Sequence, residues 1–126
     1  MSNITQPNTS INRCRKSVGY PNFTPVIYGA SVTTSVSGVY TLVYITGENF
    51  ISPVNGTTYV NFGSFTELPI VYYSSFNISF VVPLNALAGS YNVVVVNVYN
   101  GNFSNAVNTS YPGNPNYSNS ITYTIT

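Results

Sequence analysis

The chain has 126 residues and a formal net charge of +1, and only 4% of its residues are charged although 44% are hydrophobic. This length is sufficient for one domain with a hydrophobic core. The sequence has no histidine and its only acidic residues are Glu48 and Glu67, so the usual general bases and metal ligands are missing, and we expect no enzyme, no metal and no cofactor site.

Uncharged polar residues and strand-forming residues take the place of the missing charges. Valine, isoleucine and threonine are abundant, and the chain has 12 tyrosines and 7 phenylalanines. A disordered chain has few such residues, so the composition predicts a folded all-β protein. A surface close to zero net charge promotes association, which favours a protein that works packed in an assembly.

The start of the chain is polar and shows no hydrophobic periodicity. We predict an extended N-terminal arm over residues 1–19, followed by one domain over residues 20–126. Every lysine and arginine of the chain lies in this arm, as Arg13, Arg15 and Lys16. The arm lacks the apolar run of a secretory signal peptide, and the longest aliphatic run of the chain, a row of valines, is too short to cross a bilayer.

Beyond the arm, short strands alternate with turn residues, a pattern typical of a β-sandwich. The first strand is predicted at 24–28 and the second at 39–46, where Gly47 is expected to end it. A Pro-Val-Asn-Gly turn follows, in which the Asn-Gly pair predicts positive φ. Further strands are predicted at 58–62, at 68–72 as a short edge strand, and at 75–82, 91–99 and 120–125.

A long polar segment separates the last two predicted strands. Residues 100–119 are rich in asparagine, glycine, serine and proline, and such a length is unusual for a loop inside a compact domain. The segment is therefore either functional or contains a further strand, for which residues 103–107 are the candidate.

Six short motifs follow one another along the domain. They are Pro-x-Ile at 25–27, Ile-x-Gly-x-Asn-Phe at 45–50, Val-x-Phe-Gly at 60–63, a strand ending in Val-Pro at 82–83, Gly-x-Tyr-x-Val-x-Val at 89–95 and Ser-Asn at 118–119. Together they resemble the IPT/TIG family of immunoglobulin-like domains over about residues 23–126. The resemblance implies an immunoglobulin-like β-sandwich that holds or binds partners without catalysis. Two segments, 29–37 and 101–116, depart from the family pattern.

The motif residues have structural interpretations. Gly47 and Gly63 are expected to adopt turn conformations that a Cβ would penalise. Asn49 is expected to bond backbone groups of its own turn. Phe50 and Phe62 are expected to fill the core.

Two features could carry chemistry, and both are better explained without it. Glu48 and Glu67 are the only carboxylates that glycoside hydrolysis could use, but we place Glu48 in a turn and Glu67 in an exposed loop. Cys14, between Arg13 and Arg15, would have a stabilised thiolate, yet no base partner is available to it.

Three features are candidate partner contacts: the basic cluster, a valine-rich strand and the long loop. The candidate residues are Arg13, Arg15, Lys16, Val94, Val96, Val98, Tyr111 and Tyr117. Three cations give only a weak phosphate footprint, so we favour docking of the arm on a neighbouring protein over nucleic acid, with a solvated tail as the alternative.

The valine-rich strand and the loop leave alternatives open. Both faces of the strand at 93–98 are apolar, which requires cover on both sides, either by the chain's own loop or arm or by another subunit. The loop at 101–116 has a composition that suits adaptable recognition of proteins or glycans, or it is a flexible insertion.

These features favour a non-enzymatic structural protein. The setting that we predict is the virion of a large DNA virus, where the chain would be a minor capsid or surface-decorating protein that contacts capsid subunits or further copies of itself. The asparagine-, tyrosine- and isoleucine-rich composition suits an AT-rich genome. The alternative is an extracellular adhesion or glycan-binding module that uses the loop at 101–116. A third hypothesis is a domain that dimerises beside DNA.

Overall fold

The fold is described by a computed structural model, which defines residues 24–99 and 115–126. Over these residues the chain forms nine β-strands and no helix. The strands are β1 (Val26–Ala30), β2 (Thr34–Ser35), β3 (Leu42–Glu48), β4 (Gly56–Phe62), β5 (Phe65–Leu68), β6 (Val71–Ser74), β7 (Asn77–Val81), β8 (Gly89–Tyr99) and β9 (Pro115–Ile125).

Two sheets pack face to face as a β-sandwich. The four-stranded sheet has the order β1-β3-β7-β6, and the five-stranded sheet has the order β2-β9-β8-β4-β5. Neighbouring strands are antiparallel except for β2 and β9, which are parallel. Along the described chain, five connections pass from one sheet to the other: β1 to β2, β2 to β3, β3 to β4, β5 to β6 and β7 to β8. The predicted all-β, immunoglobulin-like sandwich is therefore confirmed.

The core lies between the two sheets and is built from alternate residues of each strand. The four-stranded sheet contributes the buried side chains of Ile27, Val43, Ile45, Ile78 and Phe80, and the five-stranded sheet contributes those of Val60, Phe62, Val93, Val95, Tyr123 and Ile125. Burial of each large apolar side chain stabilises the fold by about 1.5–3 kcal/mol. Phe50 packs into the same core from the segment after β3, so the core roles predicted for Phe50 and Phe62 are both confirmed.

Most of the predicted strands are present with different bounds, and residues 115–119 of the predicted loop, Tyr117 included, belong to β9. The strands predicted at 24–28, 39–46, 58–62, 75–82, 91–99 and 120–125 overlap β1, β3, β4, β7, β8 and β9. The edge strand predicted at 68–72 is wrong, because this segment contains the end of β5 and the start of β6, which lie in different sheets. Pro69 between them has no N–H to donate to a ladder, which favours the break at this position. The candidate strand at 103–107 lies outside the described residues.

Gly47 does not end its strand, contrary to the prediction. It lies inside β3, opposite Ile27 of β1, and it is buried. A Cβ on Gly47 would lie 1.9 Å from the carbonyl oxygen of Val26, so glycine is needed for the close approach of two strands rather than for a turn. Gly63 does have the predicted left-handed conformation, with a φ of 58°, in the turn between β4 and β5.

The predicted Pro-Val-Asn-Gly turn is present but does not use left-handed residues. The Asn55 N–H donates to the Ser52 carbonyl oxygen at 2.9 Å, and Gly56 begins β4. Neither Asn55 nor Gly56 has a positive φ, so the expected turn type is wrong. Among the described non-glycine residues, positive φ occurs instead at Asn49 (67°) and Glu67 (57°).

Candidate functional site

The segment after β3 is held in place by a buried polar cluster. Asn97 of β8 is fully buried, and its Nδ2 donates to the Asn49 carbonyl oxygen at 2.6 Å. The Thr58 hydroxyl donates to Asn97 Oδ1 at 2.8 Å and accepts from the Ile51 N–H at 2.9 Å. Because these groups satisfy one another across β4, β8 and the segment, the cluster is structural and offers no free group to a ligand.

Asn49 has a different role from the one predicted. Its Nδ2 donates to the carbonyl oxygen of Thr24 at 3.0 Å, far away in sequence, rather than to its own turn. The positive φ of Asn49 is one that asparagine tolerates better than most residues. Asn49 therefore ties the start of the described domain to the end of β3.

The Ser-Asn motif joins the two sheets. The Asn119 side chain accepts from the Ile27 N–H at 2.8 Å and donates to the Ile27 carbonyl oxygen at 3.0 Å. The Ser118 hydroxyl accepts from the Val95 N–H at 2.8 Å, where the pairing between β8 and β9 shifts register. The side-chain amide of Asn119 thus makes the two backbone hydrogen bonds with β1 that a neighbouring strand would otherwise make.

The described residues carry no arrangement typical of a catalytic or metal site. No group of three or more histidine, cysteine, aspartate or glutamate residues lies together in this part of the chain. Glu48 and Glu67, predicted in a turn and in an exposed loop, lie instead in β3 and β5. Glu48 accepts a hydrogen bond from the hydroxyl of Tyr28 on the outside of the four-stranded sheet. The same part of the chain contains no helix long and apolar enough to span a membrane.

The outer face of the four-stranded sheet is aromatic and exposed. We call it the tyrosine face, and it consists of Tyr28, Tyr44, Val71, Tyr73 and Val81. Tyr44 is 48% exposed and Tyr73 is 51% exposed, and their rings lie 6.0 Å apart at an interplanar angle of 35°. The hydroxyl of Tyr73 is within 3.0 Å of the buried hydroxyl of Ser79 on β7, which fixes the ring on the sheet. This contact stiffens an aromatic surface that faces water.

The outer face of the five-stranded sheet holds the valines predicted as partner contacts. Val94 and Val98 are partly exposed, whereas Val96 is fully buried. Val96 is paired with Tyr59 of β4 on one side and with Tyr117 of β9 on the other. The sheet's own tyrosines therefore flank Val96, which has no surface to offer a partner.

Of the other predicted contacts, one lies among the described residues and four lie outside them. Tyr117 is 56% exposed on β9 beside the valines. Arg13, Arg15, Lys16 and Tyr111 lie outside the described residues. Contact of any of these residues with a partner stays a prediction.

An open groove lies where the chain crosses from β5 to β6. This crossover groove has a volume of about 490 Å³, and its lining residues are Ile51, Pro53, Gly56, Thr57, Thr58, Tyr59, Glu67, Pro69, Ile70 and Tyr72. A second hollow of about 230 Å³ shares Ile51 and Tyr72 with it and also includes Asn49 and Tyr99. The groove combines aromatic rings with one carboxylate.

Burial makes two of the tyrosines difficult to ionise. The pKa of Tyr99 lies well above its ordinary value because the phenol is buried. The pKa of Tyr59 is also raised, first by burial and then by the negative charges of Glu67 and ionised Tyr117. Glu67 and Tyr117 are therefore close enough to Tyr59 to interact electrostatically.

These pKa shifts predict a loss of stability at alkaline pH. A raised pKa in the folded state means that stability is fully present below the unfolded pKa of about 10 and is lost as pH rises above it. We expect the free energy of unfolding to be constant from pH 7 to 9 and then to fall, with Tyr99 contributing up to about 1.4 kcal/mol per pH unit. Urea titrations between pH 7 and 12 measure this.

Tyr99→Phe is the control for the alkaline prediction. Phenylalanine keeps the ring in the core but has no proton to lose, so the variant should show a shallower decline above pH 10. An unchanged slope in Tyr99→Phe would contradict the assignment to Tyr99.

The tyrosine face was not predicted from the sequence. One part of the sequence could have indicated it. In β3, Leu42 and Tyr44 lie on one face and Val43 on the other, so both faces are apolar, as in the valine-rich strand. The contribution of Tyr73 had no such signal, because β6 is short and its position beside β7 depends on the topology of the sheet.

Comparison with known proteins agrees with this architecture. The family model for the IPT/TIG domain matches residues 25–111, which is more than half of the chain. The matched region contains β1 to β8 and ends before β9, which nevertheless pairs with β8 and completes the five-stranded sheet. A search of curated proteins found no match. IPT/TIG domains are immunoglobulin-like modules that are generally non-catalytic and mediate contacts between proteins. The chain belongs to the IPT/TIG domain family.

Proposed function

We propose that the chain is a non-enzymatic structural subunit that associates with further copies of itself through the tyrosine face. The observation that carries this proposal is the cluster of exposed tyrosine and valine side chains on the outer face of the four-stranded sheet. Tyrosine is enriched in protein interfaces because it buries a large rigid ring and keeps a polar hydroxyl at the edge. An exposed apolar patch on a sheet face is typical of an interaction surface.

The low net charge of the chain supports a second copy as the partner that covers the tyrosine face. The chain has a net charge of only +1, so two copies repel each other weakly. The charge beside the face is the carboxylate of Glu48, and it is already hydrogen-bonded to Tyr28. The rings of Tyr44 and Tyr73 carry no charge, so an identical face can cover them without burying a charge of either ring.

The experiment is light scattering after size-exclusion chromatography, with the full chain and with a chain that begins at Ser17. Because the tyrosine face belongs to the domain, we expect both to self-associate. In the double variant Tyr44→Ser/Tyr73→Ser we expect the affinity to fall at least about tenfold, since each lost aromatic contact costs about 1 kcal/mol or more.

Tyr117→Ser is the matched control, because it makes the same change on the opposite sheet. We expect this variant to associate like the parent chain. Stable monomers of both parent chains would contradict the proposal, and loss of association in Tyr117→Ser alone would assign the interface to the five-stranded sheet instead.

The setting that we propose is the virion of a large DNA virus, with the chain as a minor capsid or surface-decorating protein. What supports it is the composition: a near-neutral polar surface and a high content of asparagine, tyrosine and isoleucine. Mass spectrometry of purified particles tests it directly. The chain should co-purify with intact capsids at constant stoichiometry, and its absence from them would contradict the setting.

A further inference from the structure

The charges of the chain are divided between two regions. All of its cationic side chains are Arg13, Arg15 and Lys16, which precede the described domain. The described domain carries both of its carboxylates, Glu48 and Glu67, and contains no lysine or arginine. If either carboxylate pairs with a cationic side chain of its own chain, that side chain belongs to residues 13–16, which we call the basic segment.

The two carboxylates are not equally available for such a pair. Glu48 already accepts a hydrogen bond from the Tyr28 hydroxyl. Glu67 lines the crossover groove and its backbone N–H donates to Asn61 Oδ1 at 3.0 Å, but its carboxylate accepts no hydrogen bond from the described residues. The carboxylate of Glu67 is therefore the better acceptor for a cation.

The lining of the crossover groove suits an arginine side chain. Tyr59 and Tyr72 present aromatic rings beside Glu67, and the raised pKa of Tyr59 indicates that the carboxylate is near its phenol. A guanidinium group stacks on aromatic faces and bonds a carboxylate with two parallel N–H groups. Ile51 and Ile70 can pack against the methylene groups of the same side chain.

The start of the described domain lies next to the groove. The Thr24 carbonyl oxygen accepts from Asn49 Nδ2 at 3.0 Å, and Asn49 lines the hollow that shares Ile51 and Tyr72 with the crossover groove. The eight Cα-to-Cα steps from Lys16 to Thr24 can span up to about 26–29 Å when extended. That reach is sufficient for the basic segment to fold back along the hollow.

We propose that the basic segment of each chain docks in the crossover groove of the same chain, with an arginine guanidinium paired to the Glu67 carboxylate and stacked on the neighbouring tyrosine. The segment then covers a groove of the domain from which it extends. This differs from the sequence prediction, in which the arm docks on a neighbouring protein.

The single cysteine makes the docking measurable. Cys14 lies inside the basic segment and is the only cysteine of the chain, so a nitroxide spin label attached there reports where the segment is. In the ¹⁵N-labelled full chain we expect paramagnetic broadening of the amide signals of Ile70 and Tyr72 in the groove. The amides of Ala86 and Gly89, near the ends of the strands far from the groove, should stay sharp.

Two glutamine variants form a matched pair, because each removes one charge and keeps the shape of the side chain. Glu67→Gln should lower the ratio of docked to free segment by about two- to fivefold, seen as recovery of the Ile70 and Tyr72 signals. Glu48→Gln should leave the broadening unchanged. Broadening that is absent, or that is equal in parent and Glu67→Gln, would overturn the proposal.

A mixing experiment decides which chain supplies the segment. A ¹⁵N-labelled Cys14→Ser chain is mixed with an unlabelled chain that carries the spin label. If each chain occupies its own groove, the groove signals of the Cys14→Ser chain stay sharp. Broadening of Ile70 and Tyr72 in the mixture would show that the segment comes from a second copy and would overturn docking within one chain.

Discussion

Gly47→Ala is expected to lower the free energy of unfolding by about 3 kcal/mol or more, or to prevent folding. The added Cβ would lie 1.9 Å from the carbonyl oxygen of Val26 and 2.8 Å from the ring of Phe50. The first of these atoms belongs to the backbone of β1, so no side-chain rotation can relieve the clash. β1 would have to separate from β3, and overpacking of this kind costs about 1–3 kcal/mol even where the structure can adjust.

Gly29→Ala is the control for Gly47→Ala. Gly29 lies in the same strand pair, opposite Thr46, but a Cβ there would have no other atom within 4 Å and φ is not in the left-handed region. We expect a change of at most about 0.5–1 kcal/mol, and in the stabilising direction if the smaller entropy of the unfolded chain dominates. Urea unfolding followed by circular dichroism measures both variants, and equal costs would contradict the close-approach argument.

The two glycines illustrate what a sequence can and cannot predict. The motif at 45–50 indicates that Gly47 is required, but the pattern along one strand does not indicate how closely the next strand approaches. Gly63 ends a strand in the structure as it does in the pattern, because its left-handed φ is a local property. Of these two glycines, the one whose role depends on the local backbone was predicted correctly, and the one whose role depends on a distant strand was not.

The strands also divide into those that a local sequence pattern indicates and those that depend on distant partners. β3, β4 and β8 are long enough for alternation of buried and exposed residues to indicate them. β2 has two residues, and β5 and β6 have four each, which is too short for a periodic signal. The passage from one sheet to the other between β5 and β6 is set by which partner each strand finds, and no residue in the segment specifies that partner.

The candidate contact surfaces were predicted in part for a similar reason. The valine-rich strand is recognisable because consecutive residues are apolar, but its burial at Val96 depends on Tyr59 and Tyr117, which come from other strands. The tyrosine face joins Tyr44 of β3 with Tyr73 of β6 across the intervening strand β7. A surface assembled from several strands becomes visible only when their order in the sheet is known.

Phe62→Ala is expected to cost about 3–5 kcal/mol of the free energy of unfolding. Phe62 is fully buried at the centre of the core. Its ring is stacked on Tyr91 at 4.8 Å and 27°, meets Tyr123 edge-on at 5.3 Å, and lies 6.1 Å from Phe80 of the opposite sheet. Removal of the ring would leave a cavity bounded by both sheets, and β-strands paired on either side can collapse into it only partially.

Two comparisons separate the loss of packing from a general effect of removing phenylalanine. Phe76→Ala removes the same ring at a position that is 58% exposed, and we expect a cost of at most about 0.5–1 kcal/mol. A double-mutant cycle with Phe62→Ala and Tyr91→Ala should give a coupling of about 0.5–1.5 kcal/mol, the usual size for a stacked aromatic pair. Urea unfolding measures all four chains of the cycle. Equal losses of unfolding free energy for Phe62→Ala and Phe76→Ala would place the centre of the core elsewhere. A large loss for Phe62→Ala without a coupling energy to Tyr91→Ala would assign the stability to burial of Phe62 and not to its stack on Tyr91.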